Sequence, residues 1–290
     1  MQRLRSHDSP AALRRFLEEE GLAPSRRFGQ NFLISTKVRK RIIDLLDIER
    51  ESSVWEIGPG LGAMSETLAE IARELTLFEI DRRFAEYLRE VFRFAGSVEV
   101  VEGDFLKTWR DIRARKGSPD RIIGNLPYNA ASHIIASLLE GEVHAPIMVF
   151  TVQKEVALRM MAGPGGKEYS SLSVLCGLHC TVFNGGDIAA GSFYPAPKVV
   201  SKVVVLKPHN RYKKPVRDIA ASAARDAFSS RRKTIANALK SGVLASRLDY
   251  ALLMDALQNA RIDPALRGEK LTVQQFVDFA LEIEKSRDKS

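Results

Sequence analysis

Val54-Trp55-Glu56-Ile57-Gly58-Pro59-Gly60-Leu61-Gly62 decides how the rest of the chain is read. A short strand of buried character runs straight into a loop with glycine at every second position. A helical pattern comes next, with Met64, Leu68 and Ile71 on one side. The same alternation then repeats. Leu75 to Ile80 reads as a strand ending at Asp81, followed by a helix carrying Phe84, Tyr87, Leu88 and Val91. Val98 to Val101 ends in Gly103-Asp104, and Arg121-Ile122-Ile123 leads into Asn125. A helix around His133 to Leu139 precedes a strand over Pro146 to Val152. Strands alternating with helices over about a hundred residues predict an α/β fold with a parallel, doubly wound, Rossmann-like sheet.

The flanks read differently. Residues 1–20 predict a short helix with Ala11, Ala12, Leu13, Phe16 and Leu17 on one side, broken by Gly21 and Pro24. Thr36 to Leu46 predicts a second helix, with Val38, Ile42, Ile43, Leu45 and Leu46 as its buried stripe. Beyond the sheet, Cys180 to Phe183 and Val199 to Leu206 predict an antiparallel pair at its edge, with a turn at Asn184-Gly185-Gly186-Asp187 between them. Pro208 to Pro215 is polar and basic and reads as a linker. The remainder of the chain is helical in pattern, including a helix over Thr272 to Glu284 entered through a Thr272 cap. The expected domains are an extension over residues 1–25, a catalytic domain over 26–208 and a smaller all-helical domain over 216–285.

The formal net charge of +8 favours an anionic partner, nucleic acid ahead of membrane. No stretch reaches the roughly 18 consecutive apolar residues of a membrane span. Charges throughout residues 1–20 argue against a signal peptide, so a cytoplasmic protein is expected. Cys176 and Cys180, the chain's two cysteines, lie among apolar neighbours and read as core thiols. No Cys/His spacing suits zinc, and no metal is expected.

Glycines at a strand-to-helix turn let the backbone approach a ligand that a Cβ would block. Glu79, closing the next strand, is placed to accept from ribose hydroxyls, and Asp104 to accept from an adenine amine. Gly58, Gly60 and Ala63 also satisfy the dinucleotide pattern, so a nicotinamide cofactor stays open on these residues. The stiff Pro59, the acidic Glu56 and Asp104 shift the balance to S-adenosylmethionine, whose sulfonium is positive and which has no pyrophosphate.

Gly124-Asn125-Leu126-Pro127-Tyr128-Asn129 supplies an amine acceptor. An adenine amine is a poor nucleophile because its lone pair is delocalised into the ring. Accepting both N–H bonds in a pyramidal geometry localises that pair. The Asn125 side-chain carbonyl and the Leu126 backbone can do this, Pro127 fixes the backbone that aims them, and Tyr128 can stack on the base. Catalysis is then mostly alignment and electrostatics. A base in structured nucleic acid must be splayed out to reach such a pocket.

The combination of Phe28-Gly29-Gln30-Asn31-Phe32-Leu33, Glu56-Ile57-Gly58-Pro59-Gly60 and Asn125-Leu126-Pro127-Tyr128-Asn129 resembles the ribosomal RNA adenine N6-methyltransferases. Further matches are Gln153-Lys154-Glu155-Val156, Phe193-Tyr194-Pro195-Ala196-Pro197-Lys198-Val199, and Phe228 with Arg231-Arg232-Lys233-Thr234. With them the chain is most similar to the bacterial 16S rRNA dimethyladenosine transferase family. The resemblance runs from about Phe28 to about Leu239. It implies an S-adenosylmethionine-dependent methyltransferase sheet, with cofactor contacts at Asn31, Leu33, Gly58, Glu79, Asp104 and Asn125, beside the Gly60 of the loop. It implies a second aromatic, Phe193, facing Tyr128 across the base. It also implies two methyls on each of two adjacent adenosines near the 3′ end of 16S rRNA within the 30S subunit, by a monomeric enzyme of ribosome biogenesis. Basic residues expected to meet RNA are Arg26, Arg27, Lys198, Arg231, Arg232 and Lys233. Two departures from the family pattern are Ser170-Ser171 after Tyr169 and Val200 before Ser201. The alternatives are an erythromycin-resistance-type enzyme acting on 23S rRNA, a non-catalytic RNA-binding assembly factor, and a DNA adenine methyltransferase.

Overall fold

A computed structural model describes residues 8–25, 28–143, 145–230 and 232–287. They divide into two units, one of Met1–Ala157 with Phe183–Pro208, the other of Leu158–Val182 with His209–Ser290. In chain order the first elements are α1 (Pro10–Glu19), β1 (Phe32–Leu33), α2 (Thr36–Leu46), β2 (Ser53–Ile57), α3 (Ser65–Ile71), β3 (Glu74–Glu79) and α4 (Arg82–Val91). Next come β4 (Val98–Glu102), α5 (Phe105–Lys116), β5 (Arg121–Asn125), α6 (Ala131–Glu140), β6 (Ile147–Gln153), α7 (Lys154–Met161) and α8 (Ser171–His179). The last are β7 (Cys180–Ile188), β8 (Phe193–Tyr194), β9 (Ser201–Pro208), α9 (Lys214–Phe228), α10 (Ile235–Lys240), α11 (Tyr250–Asn259) and α12 (Val273–Arg287).

The seven-stranded sheet has the order β4-β3-β2-β5-β6-β9-β7. From β4 to β6 all neighbours are parallel, and β9 runs antiparallel to β6. The chain leaves β2 for β3 and β4 on one side, then returns to place β5 on the other. The order therefore reverses between β2 and β5, where such sheets bind ligands beyond their strand ends. The register Ile57↔Gly124 brings the loop after β2 level with Asn125. Gly124 permits this pairing, because a Cβ there would sit 2.8 Å from the Ile57 carbonyl oxygen.

Strand periodicity divides the core. Val54 joins a cluster with Ile42, Leu46, Leu68, Leu75, Leu88 and Ile123 on one face. Trp55, its neighbour, packs edge-on against Phe78 on the other. Phe78 in turn meets Phe105 of α5, and Phe105 stacks on Trp109. Helices α5, α7 and α8 lie where the sequence reading places no helix. In α5 the signal was present, since Phe105, Trp109 and Ile112 recur at helical spacing and are all buried.

Asn184-Gly185-Gly186-Asp187 is not a turn between strands but part of β7. The Gly186 N–H donates to Asn184 Oδ1 at 3.0 Å, and Gly186 takes φ +97. A Cβ at Gly185 would meet Val203 Cγ1 at 2.7 Å. Turn-forming residues here make a local kink that lets an edge strand lie close to its neighbour.

The second unit is built around α9, whose Ala220, Ala223, Ala224 and Ala227 are buried and let neighbouring helices approach closely. The buried Asp226 carboxylate accepts from the Val243 and Leu244 N–H groups at 2.8 and 3.0 Å. Tyr169 donates to the Leu271 carbonyl at 2.9 Å and packs edge-on against Phe228.

Candidate active site

The loop after β2 turns on three glycines with positive φ, Gly58 at 71°, Gly60 at 57° and Gly62 at 78°. Its hydrogen bonds tie it to β3. The Gly58 N–H donates to the Phe78 carbonyl at 3.0 Å, and the Gly60 N–H donates to Glu79 Oε2 at 3.0 Å. Glu79 Oε1 accepts from the Asp81 N–H at 2.9 Å. Each carboxylate oxygen keeps a further lone pair for a ligand.

Glu56, at the end of β2, is fully buried and accepts from Ser65 Oγ at 2.6 Å through Oε2. Its Oε1 is buried without a protein partner. Burial pushes Glu56 up to about 7, against the Ser65 hydrogen bond, and the neighbouring Glu79 charge adds to the rise. Burial likewise pushes Glu79 up to about 7, opposed by its backbone donors. Two desolvated carboxylates in one cleft disfavour a second negative charge and favour a positive one.

That cleft has a volume of about 840 Å³ counted to its open mouth. Its walls include Asn31, Leu33, Gly58, Gly60, Glu79 and Asn125. Leu126, Pro127 and Tyr128 complete the wall on the β5 side. The structure thus brings together most of the residues expected from sequence to serve a cofactor and an amine. Ile80 and Leu13 also line the cleft. Neither was expected there. Ile80 comes directly after the acidic strand end, with its aliphatic side chain 42% exposed.

The Asn125 amide has a fixed orientation. Its Nδ2 donates to the Asn31 backbone carbonyl at 2.8 Å, and a carbonyl can only accept. Oδ1 is then the atom of that amide free to accept from a ligand. Asn31 is held in turn by its own Nδ2 donating to the Gly29 carbonyl at 2.9 Å. The Leu126 side chain is buried and its N–H donates to the Thr151 carbonyl at 3.1 Å, so its carbonyl is the group it can offer. The Tyr128 hydroxyl shares a 2.5 Å hydrogen bond with the buried Ser201 Oγ. Burial raises the Tyr128 pKa, against this bond.

Ser201 is 73 residues from Tyr128 in sequence, and no local pattern links the two. Replacing Ser201 with alanine leaves a half-buried phenol without its anchor, a cost of about 1 kcal/mol in stability. The methyl transfer that the sequence resemblance implies should fall by about tenfold as the ring loses its fixed angle. Cofactor affinity should hold. Turnover measured beside cofactor titration checks this, and parallel losses in both would deny Ser201 a positioning role.

Other expected residues lie outside the cleft lining. Phe193 is 2% exposed, belongs to the core cluster with Leu33, its partner across β1 and β8, and is not among the residues that line the cleft. Asp104 caps α5, accepting from the Leu106 N–H at 3.0 Å, and is not a cleft-lining residue. Lys198 is exposed after β8. In the second unit Arg232 and Lys233 are exposed before α10, and Lys233 Nζ donates to Ser241 Oγ at 3.0 Å. Arg26, Arg27 and Arg231 lie outside the described residues. Among the described residues no group of three or more His, Cys, Asp or Glu could hold a metal ion, and no helix is long and apolar enough to cross a membrane.

Residues 23–285 match the ribosomal RNA adenine dimethylase family. The chain is 38% identical over 281 residues to a ribosomal RNA small subunit methyltransferase A of Treponema denticola, covering 94% of each chain. It is 36% identical over 280 residues to the protein of that name from Alkaliphilus metalliredigens, covering 95% of this chain and 97% of the other. Among solved structures, it is similar to a dimethyladenosine transferase from Plasmodium falciparum, with a TM-score of 0.72, 25% identity, and coverage of 87% of this chain and 97% of that one. The 23S rRNA methyltransferase ErmE shares the fold, with a TM-score of 0.61 at 23% identity over 88% of this chain and all of the other. The switch-point cleft, the fixed Asn125 amide and a match spanning nearly the whole sequence have one reading: the chain belongs to the ribosomal RNA adenine dimethylase family and is a methyltransferase.

Proposed function

We propose that this enzyme transfers methyl groups from S-adenosylmethionine to N6 of two adjacent adenosines near the 3′ end of 16S rRNA, dimethylating each, during assembly of the small ribosomal subunit. The observation that carries this reading is the Asn125 amide, whose Nδ2 is committed to Asn31 and whose Oδ1 is thereby free beside a cleft with two buried carboxylates. S-adenosylmethionine, when bound, supplies an electrophilic methyl on a cationic sulfur.

The cleft suits that ligand. Glu56 Oε1 is a buried acceptor without a protein donor, and the positive-φ glycines keep the loop free of side chains. Glu79 holds a lone pair on each oxygen for hydroxyl donors, and Ile80 offers an apolar face beside it. At the other end, Asn125 Oδ1 and the Leu126 carbonyl accept the two N–H bonds of the amine and draw its nitrogen toward a pyramidal shape. Tyr128, braced by Ser201, stacks on the base and sets its plane. No side chain has to remove a proton before transfer, because the product ammonium sheds it afterwards. Arg232 and Lys233 offer charge to RNA phosphates.

The test is direct. Labelled S-adenosylmethionine is incubated with undermethylated small subunits, and the digested RNA is examined for dimethyladenosine. Label confined to large-subunit RNA, or to DNA, overturns the reading.

A further inference from the structure

Helix α1 has two faces in use. Leu13 is fully buried and lines the cofactor cleft, while Arg14 and Arg15 are exposed. These arginines, with Pro10, Ala11, Glu18 and Tyr194, line a second groove of about 700 Å³ counted to its open mouth. Tyr194 lies in β8, opposite Phe32 of β1, and Phe32 is itself a wall residue of the cleft. The groove and the cleft are therefore separated by one strand and one helix. Tyr194 also packs against the cluster of Leu13, Phe16, Ile34 and Phe84 that holds α1 in place. Arg14 Nε donates to the Tyr194 hydroxyl at 3.3 Å, which orients the guanidinium and leaves its other N–H groups free for a ligand.

We propose that this groove binds an RNA nucleotide flanking the target adenosine, an inference that rests on the rRNA methyltransferase reading above. A phenol ring beside two guanidinium groups is what an unstacked nucleotide needs. The ring and the guanidinium planes take the base, and the remaining N–H donors take its phosphate. Once the target base is splayed into the cleft, its neighbour loses a stacking partner and needs a new one. Glu18 opposes phosphate, so the groove carries two positive charges against one negative.

Arg14→Gln with Arg15→Gln alters exposed positions and should leave the fold intact. The expected result is about tenfold weaker binding of small-subunit RNA, with the slope of affinity against salt reduced by about 0.7 for each phosphate that is no longer neutralised. Binding of S-adenosylmethionine should stay within about twofold of wild type. Glu18→Gln should tighten RNA binding several-fold. Tyr194→Phe keeps the ring and should keep most of the affinity, while Tyr194→Leu should lose it. RNA affinity and salt slope unchanged in the double variant overturn the inference, and so does an equal loss of cofactor binding, which would make α1 a wall alone. If wild-type enzyme fails to methylate small-subunit RNA, the rRNA reading falls and this inference falls with it. If wild type methylates and the variants bind as it does, the groove alone is refuted.

Discussion

Asn125→Ala lowers methyl transfer by about 10²–10³-fold at saturating cofactor, the loss typical when one group aimed at developing charge is removed. RNA binding should be nearly unchanged, because the amide offers one neutral acceptor while phosphate contacts supply most of the affinity. Asn125→Asp sharpens the point. The carboxylate keeps an oxygen that could accept from the amine, but it cannot donate to the Asn31 carbonyl, which now accepts Nδ2–H at 2.8 Å. Two acceptors facing each other drive the side chain out of place. The aspartate variant should therefore be as poor as the alanine one, although it conserves the acceptor. Single-turnover methylation of undermethylated small subunits is the measurement. Normal turnover in either variant removes Asn125 from its role. The same variants address the second transfer. A monomethylated adenine has one N–H left, so the grip relies on one acceptor and on Tyr128, and any residual activity should stop at the monomethyl product.

Local pattern carried the fold, because each strand-and-helix unit announces itself within about thirty residues. The glycine loop, Glu79 and Asn125 were legible for the same reason, since the switch point places strand ends together by topology. Contacts between distant segments were not legible. Tyr128 and Ser201 meet only because β9 adds beside β6, with Ser201 opposite Gln153. Glu56 and Ser65 meet across the glycine loop, where neither strand nor helix periodicity applies. The stripe Ala11, Ala12, Leu13, Phe16 and Leu17 marked α1 as amphipathic, but Ala11 and Ala12 are exposed, and no pattern in it says that Leu13 lines the cleft. For Phe193 the resemblance implies a base-facing ring, and the side chain is buried in the cluster that also holds Leu33, itself a cleft-lining residue. Asp104 illustrates a residue with two possible uses. An aspartate between a strand and a helix suits a ligand amine and a helix N-cap equally, and here it caps α5.

Binding of S-adenosylmethionine should release protons near pH 6.5 and tighten as pH rises to about 7. Glu56 and Glu79 are each pushed from an ordinary value near 4.5 up to about 7, burial being the main cause in both. A carboxyl raised in the folded state contributes its full stability below about 4.5. It loses that stability as pH climbs through 7, because the unfolded chain ionises first. A rise of this size is worth about 3 kcal/mol for one group, and less for each when two share a cleft. A cationic ligand reverses the balance. It favours the ionised carboxylates, lowers their pKa and expels the protons they held. Calorimetry at pH 6.5 in two buffers of different ionisation enthalpy reads the release as a difference in heat. Adenosine, which keeps the ribose hydroxyls that Glu79 can accept from but brings no positive charge, serves as the control and should show a smaller difference. Glu56→Gln keeps a partner for Ser65 and removes one titrating group. It should cut the proton release and raise the melting temperature of the ligand-free protein at pH 8, by about 2–4 °C for each kcal/mol recovered. Equal heats in the two buffers would mean that the buried carboxyls are already ionised, and that the cleft does not select its ligand by charge.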